Sequence, residues 1–329
     1  MIDILFIIIG VALVLTGADR LTEGASAIAR RFGVPEIVIG LTIVACGTSM
    51  PEFFVSLMSA LNGTPDMAVG NVVGSNVMNS MLIVGCAAVV APMVISRSTV
   101  RKDIPFAVGA SLLLILLGLD SDISRTDGII LLLGFAFFMA YTLMQAKGSL
   151  PSTPAEEKAK TETQDASSDQ KRSKEPAVWL SALWVLLGLA ALVFGSDLFV
   201  DSASSVATAL GVSQSVIGLT IVAGGTSLPE LATSVVAARK GQSAIAIGNV
   251  IGSNVFNILL ILGATSAITP LQMEGITTID MTVMLVSVAL VWLFSFTRYT
   301  VERWEGALLI VGYGAYLSWL LYNAQLAAA

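Results

Sequence analysis

Histidine is absent from the 329 residues, and that one absence removes a good deal of chemistry. Without imidazole there is no HExxH metalloprotease site, no His-ligated zinc and no Ser-His or Cys-His dyad. Cysteine is nearly absent as well: Cys46 and Cys86 are the two, each inside an apolar run. They make neither a CxxC motif nor a disulfide framework, and each reads as a small packing residue. Charge is scarce too, at 12% of residues, with a net charge of −6. Soluble chains carry about 25% charged residues. This one lacks the polar surface that a soluble enzyme, a nucleic-acid binder or a disordered protein requires.

What is present is hydrocarbon: 55% of residues are apolar, and the mean hydropathy is +0.86. The composition is that of an integral membrane protein. Crossing a bilayer core takes about 20 apolar residues. Ten such segments can be read: 3–28, 37–60, 68–91, 100–118, 128–146, 178–206, 215–238, 246–269, 278–297 and 304–323. A chain crossing lipid must satisfy its backbone internally, so these are predicted helices; the alternation of a β-barrel is missing. The expected class is an all-α polytopic membrane protein. The first span starts almost at residue 1, with no basic n-region or small-residue cleavage site, so no cleaved signal peptide is expected.

Between the fifth and sixth spans lies LPSTPAEEKAKTETQDASSDQKRSKEP, residues 150–176. It has no Ile, Val, Phe, Met or aromatic residue, the composition of a disordered tether. The expected organisation is therefore a first five-helix unit (1–146), a linker (147–177) and a second five-helix unit (178–329).

The two units are copies. Shifted by 178 positions, GVPEIVIGLTIVACGTSMPE (33–52) falls on GVSQSVIGLTIVAGGTSLPE (211–230), and AVGNVVGSNVMNSMLIVG (68–85) on AIGNVIGSNVFNILLILG (246–263). From Gly10 to Val94, 38 of 85 positions match without a gap, too many for chance, so the chain is an internal duplication. The repeated blocks are 40–60 and 68–85 in the first unit and 218–238 and 246–263 in the second. Five spans is an odd number, so the second copy should enter the membrane inverted. Basic residues agree: Arg30, Arg31, Arg97, Arg101, Lys102, Arg239, Lys240, Arg298, Arg303 and the linker's basic residues fall on one side, against Arg125 on the other. By the positive-inside rule the linker is cytoplasmic and both termini are outside. Inverted repeats are a signature of secondary transporters.

Each unit places a carboxylate deep in its second span, Glu52 in CGTSMPE and Glu230 in GGTSLPE. A charge at that depth costs at least about 2.5 kcal/mol even on lenient insertion scales, so it should face a pathway or a partner. Thr48, Ser49, Thr226 and Ser227 put hydroxyls one turn away. Pro51 and Pro229 lack an N–H, which should break each helix near the midplane and loosen the carbonyls of Gly47 and Gly225. In the third and eighth spans, Asn71, Ser75 and Asn79 share one helical face, as do Asn249, Ser253 and Asn257. Asn71, Asn76, Asn249 and Asn254 are credible as bonds between helices; Asn79 and Asn257 read as site residues. Two carboxylates, hydroxyls, amides and carbonyls make an all-oxygen cage suited to hard cations such as Ca²⁺. Two carboxylates balance one Ca²⁺ or two Na⁺. Asp19, Glu23, Asp197 and Asp201 form symmetric acidic pairs on the first and sixth helices and read as solvated helix ends.

The paired GTSxPE and GSNxxN elements in five-plus-five spans resemble the calcium/cation antiporter superfamily, most closely its bacterial sodium/calcium exchangers. The resemblance covers almost the whole chain outside the linker. It implies Ca²⁺/Na⁺ antiport by alternating access, with the first and sixth helices sliding past the rest, in a bacterial inner membrane. It also implies Ca²⁺ between Glu52 and Glu230, helped by Thr48, Thr226 and the carbonyls of Ala45 and Ala223. Sodium would use the same glutamates with Ser49, Ser75, Ser227 and Ser253. One departure is Asn257, where archaeal members carry Asp; this leaves open the sodium count and a role for K⁺. A Ca²⁺/H⁺ antiporter is the nearest alternative, and a cation channel a more distant one. With no nucleophile beside a base, an enzyme is not expected. No cofactor or protein partner is expected beyond the transported ions and the bilayer.

Overall fold

The computed structural model describes residues 2–148, 177–210, 221, 223–273, 275–296 and 298–328. The first unit contains α1 (Ile2–Phe32), α2 (Glu36–Thr48), α3 (Met50–Leu61), α4 (Pro65–Val90), α5 (Ile104–Leu117) and α6 (Arg125–Ala146). The second contains α7 (Val178–Ala209), α8 (Ala223–Thr226), α9 (Leu228–Arg239), α10 (Ser243–Ile268), α11 (Thr278–Phe296) and α12 (Arg303–Ala328). Among the described residues, helix occupies every expected span. Residues 215–220 and 222 of the expected 215–238 span lie outside the described residues, as do residues 149–176 of the linker. Among the described residues, six helices (α1, α4, α6, α7, α10 and α11) are long and apolar enough to cross a membrane. The bent pair α2 and α3 makes a seventh.

Burial separates the centre from the rim. The most apolar window of α10 is 94% buried and that of α4 is 78%, against 22% for α1 and α6 and 28% for α7. The two helices carrying the GSNxxN elements are therefore the middle of the molecule. Small residues make that possible: a Cβ on Gly248 would lie 2.9 Å from the Ile37 carbonyl, and one on Gly252 2.6 Å from Ala45 Cβ, so α10 lies directly against α2. On the rim, α1 and α7 pack along a glycine seam. Gly10 meets the carbonyl of Gly195, Gly17 that of Gly188 and Gly24 that of Ser181, with virtual Cβ contacts of 2.8, 2.8 and 2.6 Å. Ascending numbers on one helix meet descending numbers on the other, so these equivalent helices run antiparallel.

The reading as all-α needs a correction. Four two-residue strands occur among the described residues: β1 (Met93–Val94), β2 (Asp122–Ile123), β3 (Leu271–Gln272) and β4 (Thr300–Val301). They form two antiparallel ribbons, β1 with β4 and β2 with β3. Where the chain leaves a helix, its amides and carbonyls need partners, and the ribbons supply them. The 178-residue shift carries the pair Met93–Val301 onto Leu271–Ile123, both present. Each ribbon thus joins one unit to the other by the same exchanged register.

One contact has no such twin. Lys240, in the turn between α9 and α10, reaches Asp19 Oδ1 at 2.7 Å, the Asp19 carbonyl at 2.9 Å and Thr22 Oγ1 at 3.2 Å. The position equivalent to Lys240 is Asn62. Asp19 is thus an ion-pair partner, and Glu23 pairs with Arg20 at 3.2 Å, so the first helix's acidic pair is more than a solvated end.

Candidate cation site

The two glutamates are completely buried, each at 0% exposure. Each follows a break in its helix. Ser49 (φ −84°, ψ 6°) ends α2, and Ser227 (φ −90°, ψ 6°) ends α8. Both adopt the sparsely populated bridge conformation common at functional residues. α2 and α3 meet at 46°. Pro51 and Pro229 then sit in the first turns of α3 and α9, where a missing N–H costs nothing. The GTSxPE element thus does what its proline implied. The freed carbonyl of Gly225, however, accepts a 2.5 Å hydrogen bond from Ser196 Oγ of α7.

The carboxylates are bonded crosswise. Ser227 Oγ donates to Glu52 Oε1 at 3.0 Å, and Ser49 Oγ donates to Glu230 Oε1 at 3.0 Å. Thr226 also bonds Glu52, and Thr48 bonds Glu230. Ser253 Oγ lies 3.4 Å from Glu230 Oε1, and Ser75 Oγ 3.2 Å from Ser227 Oγ. Thr48 Oγ1 is also within reach of Asn249 Oδ1 (3.0 Å) and the Ala45 carbonyl (3.4 Å). Eight of the twelve sequence-derived site residues therefore fall into two hydrogen-bonded groups, Glu52 with Thr226, Ser227 and Ser75, and Glu230 with Thr48, Ser49 and Ser253.

The other four need separate placement. Asn79 and Asn257 are buried, at 1% and 0% exposure, and each falls within a π-turn, Asn79–Ile83 or Phe256–Leu262. Such turns widen a helix and occur often at functional sites. The Asn257 amide donates to Asn76 Oδ1 at 3.0 Å. The Ala45 carbonyl already receives the Ser49 amide at 3.0 Å, and Ala223 opens α8.

A supporting layer was visible in the spacing but not singled out as a unit. Asn71 Nδ2 bonds Ser56 Oγ (3.0 Å) and the Glu52 carbonyl (3.2 Å). Asn249 Nδ2 bonds Ser234 Oγ (3.0 Å) and the Glu230 carbonyl (3.4 Å). Ser56 and Ser234 lie four residues after the glutamates in both units, a repeated i, i+4 signal that could have found them. Asn76 bonds the Asn254 carbonyl at 3.2 Å, so it joins helices as expected.

The network leaves specific oxygens over. Glu52 Oε2, Glu230 Oε2, Asn79 Oδ1 and Asn257 Oδ1 are buried with no hydrogen-bond partner. A buried acceptor left without a donor is costly, most of all on a charged group. All four are hard oxygen ligands of the kind Ca²⁺ and Na⁺ use. Among the described residues no three carboxylate or thiol side chains gather, so a cation here must also draw on hydroxyls, amides and carbonyls. Cys46 is half-buried and unbridged. Above both breaks runs α7: a Cβ on Gly47 would strike Leu189 Cδ2, and one on Gly225 would strike Val200 Cγ2.

Buried paired carboxylates at helix breaks, inside a bundle of membrane-length helices, define a membrane cation transporter. The family follows from comparison. The model described as sodium/calcium exchanger protein matches residues 2–144 and again 180–322, and the chain belongs to that family. It is 35% identical to the putative antiporter CaxA of Alkalimonas amylolytica, over 97% of this chain and 98% of that protein. It is 32% identical to the sodium/calcium exchanger MaX1 of Methanosarcina acetivorans, over 98% and 99%. The solved sodium-calcium exchanger NCX_Mj superposes with a TM-score of 0.82 at 30% identity, covering 97% of this chain and 98% of that one.

Proposed function

We propose that the chain exchanges Ca²⁺ for Na⁺ across a bacterial inner membrane by alternating access. Ten spans, 1–146 and 178–329, form two inverted units, with the linker 147–177 cytoplasmic and both termini outside. The observation that carries the reading is the set of unpartnered oxygens, Glu52 Oε2 and Glu230 Oε2 with Asn79 Oδ1 and Asn257 Oδ1. In this reading Ca²⁺ takes both glutamates with Thr48 and Thr226 and the carbonyls of Ala45 and Ala223. Sodium takes the same carboxylates with Ser49, Ser75, Ser227 and Ser253. Because both ions need the same two charges, either can neutralise the site but both cannot occupy it fully, which couples their fluxes. The names of CaxA, MaX1 and NCX_Mj agree with such an exchange.

Alternating access is supported by an asymmetry. α7 covers Gly47 through Leu189 and Gly225 through Val200. The equivalent contacts by the 178-residue shift would set Val11 of α1 over Gly225 and Thr22 of α1 over Gly47. A duplicated chain can adopt both arrangements at similar energy, and sliding the α1–α7 pair along its glycine seam connects them.

The test is flux into proteoliposomes loaded with Na⁺, then diluted into choline with Ca²⁺ outside. Ca²⁺ uptake that requires the outward Na⁺ gradient is expected. Uptake driven by a pH gradient with Na⁺ replaced by choline would instead make this a Ca²⁺/H⁺ antiporter. Uptake needing no counter-ion gradient would make it a channel. Adding K⁺ to the Na⁺-loaded vesicles reads out any potassium dependence.

A further inference from the structure

Pro229 carries no N–H, so the carbonyl of Gly225, four residues earlier, loses the donor that a continuous helix would give it. A buried carbonyl left without a donor is destabilising. The donor comes instead from another helix: Ser196 Oγ of α7, 3% exposed, bonds the Gly225 carbonyl at 2.5 Å. α7 can come this close because residue 225 has no side chain; a Cβ there would strike Val200, one turn along α7 from Ser196. Thr226 and Ser227, the next two residues, both bond Glu52. One hydroxyl thus ties α7 to the stretch of backbone that carries the Glu52 donors.

The bond also fixes how far α7 is inserted. An O–H···O bond spans about 2.5–3.0 Å, and one helical turn is about 5.4 Å. Sliding α7 by a single turn along its seam with α1 therefore takes Ser196 out of reach of Gly225.

The duplication supplies an internal comparison. The 178-residue shift carries Pro229 onto Pro51 and Gly225 onto Gly47, so the first unit has the same released carbonyl. It carries Ser196 onto Ala18, which has no hydroxyl. Thr22, the equivalent of Val200, gives its hydroxyl to the Asp19 carbonyl of its own helix at 3.1 Å. Both units have the acceptor, and one has the donor.

We propose that Ser196 is a positioning residue for the exchange. Its bond to Gly225 latches α7 in the conformer described here, and the exchanged conformer, with Ala18 of α1 facing Gly47, lacks that latch. The inference rests on the alternating-access reading above for the existence of the second conformer. Ser196 acts through the Gly225 carbonyl, and it sets the two populations between which exchange alternates.

The experiment reads those populations from spin-label distances on the full-length chain in liposomes. Cys46→Ala and Cys86→Ala remove the native thiols, and labels go on Phe194→Cys of α7 and Leu133→Cys of α6, both exposed positions. Two distances are expected, the more populated one matching the described conformer. Ser196→Ala should move weight to the other by roughly two- to tenfold, the effect of one neutral hydrogen bond. Pro229→Ala offers Gly225 an N–H from its own chain, so Ser196→Ala added to it should move the populations little further; such non-additivity marks residues that act on one group. A lower melting temperature in Ser196→Ala with unchanged populations would overturn the latch and make Ser196 a packing residue. An equal shift with and without Pro229→Ala would place its action elsewhere. A single distance in Na⁺ and in Ca²⁺ alike would overturn the latch too, whereas the vesicle flux assay separately decides the exchange reading.

Discussion

Glu52 and Glu230 are each held by a hydroxyl from the other half of the chain, through Ser227 and Ser49 at 3.0 Å. The carboxylates, the hydroxyls and the breaking prolines were all legible, because GTSxPE carries them in one short string. The crossing was not legible, since nothing in one string says which copy its serine will serve. Glu52→Gln or Glu230→Gln removes one of the two charges that neutralise Ca²⁺, and each should reduce Ca²⁺ flux in proteoliposomes to background. Robust exchange in either variant would remove that residue from the site. The serines make a subtler pair. A hydrogen bond to a charged group is worth about 1.5–3 kcal/mol, so Ser49→Ala and Ser227→Ala should each weaken Ca²⁺ binding by about tenfold. Crossing makes them equivalent, so calorimetric affinities should fall alike; loss confined to one variant would mean the two carboxylates do different work.

At the scale of elements, hydropathy found the helices because each span must close its own hydrogen bonds. It could not find the π-turns that contain Asn79 and Asn257 or the two-residue ribbons, since neither changes the apolar pattern. The break between α2 and α3 was readable from Pro51, but its placement two residues earlier at Ser49 depends on backbone angles. The glycines of the α1–α7 seam are a different case. They are spaced by seven in the sequence, yet only the packed pair shows which ones touch backbone. Gly188→Ala would bring a Cβ to 2.7 Å from the Leu21 amide nitrogen, which cannot give way. Gly134→Ala would place one 3.5 Å from Leu259 Cδ2, an ordinary contact. Overpacking typically costs about 1–3 kcal/mol. Gly188→Ala should therefore lower the melting temperature in detergent by several degrees, while Gly134→Ala leaves it unchanged. Equal melting curves would show that the helix pair separates freely.

For the whole molecule, one number, the 178-residue offset, predicted more than any local motif. It anticipated matched glutamates, and it holds in the exchanged ribbons Met93–Val301 and Ile123–Leu271. Departures from it are informative for the same reason, and the one between Lys240 and Asn62 stands outside the cage. Lys240 ties α1 to the α9–α10 turn through Asp19, with the two side chains 29% and 48% exposed. An ion pair that open to water is worth at most about 1 kcal/mol, a factor of about five between two conformers. Lys240→Met should therefore shift the resting population away from the described conformer by up to about fivefold. Ca²⁺ affinity measured from one face of the membrane should fall as that from the other rises, with the intrinsic affinity of the cage unchanged. Identical shifts on both faces would assign Lys240 to folding instead. A perfectly duplicated carrier would present the same apparent affinity to both compartments; in the exchange proposed above, a single lysine would set unequal faces around an evenly built centre.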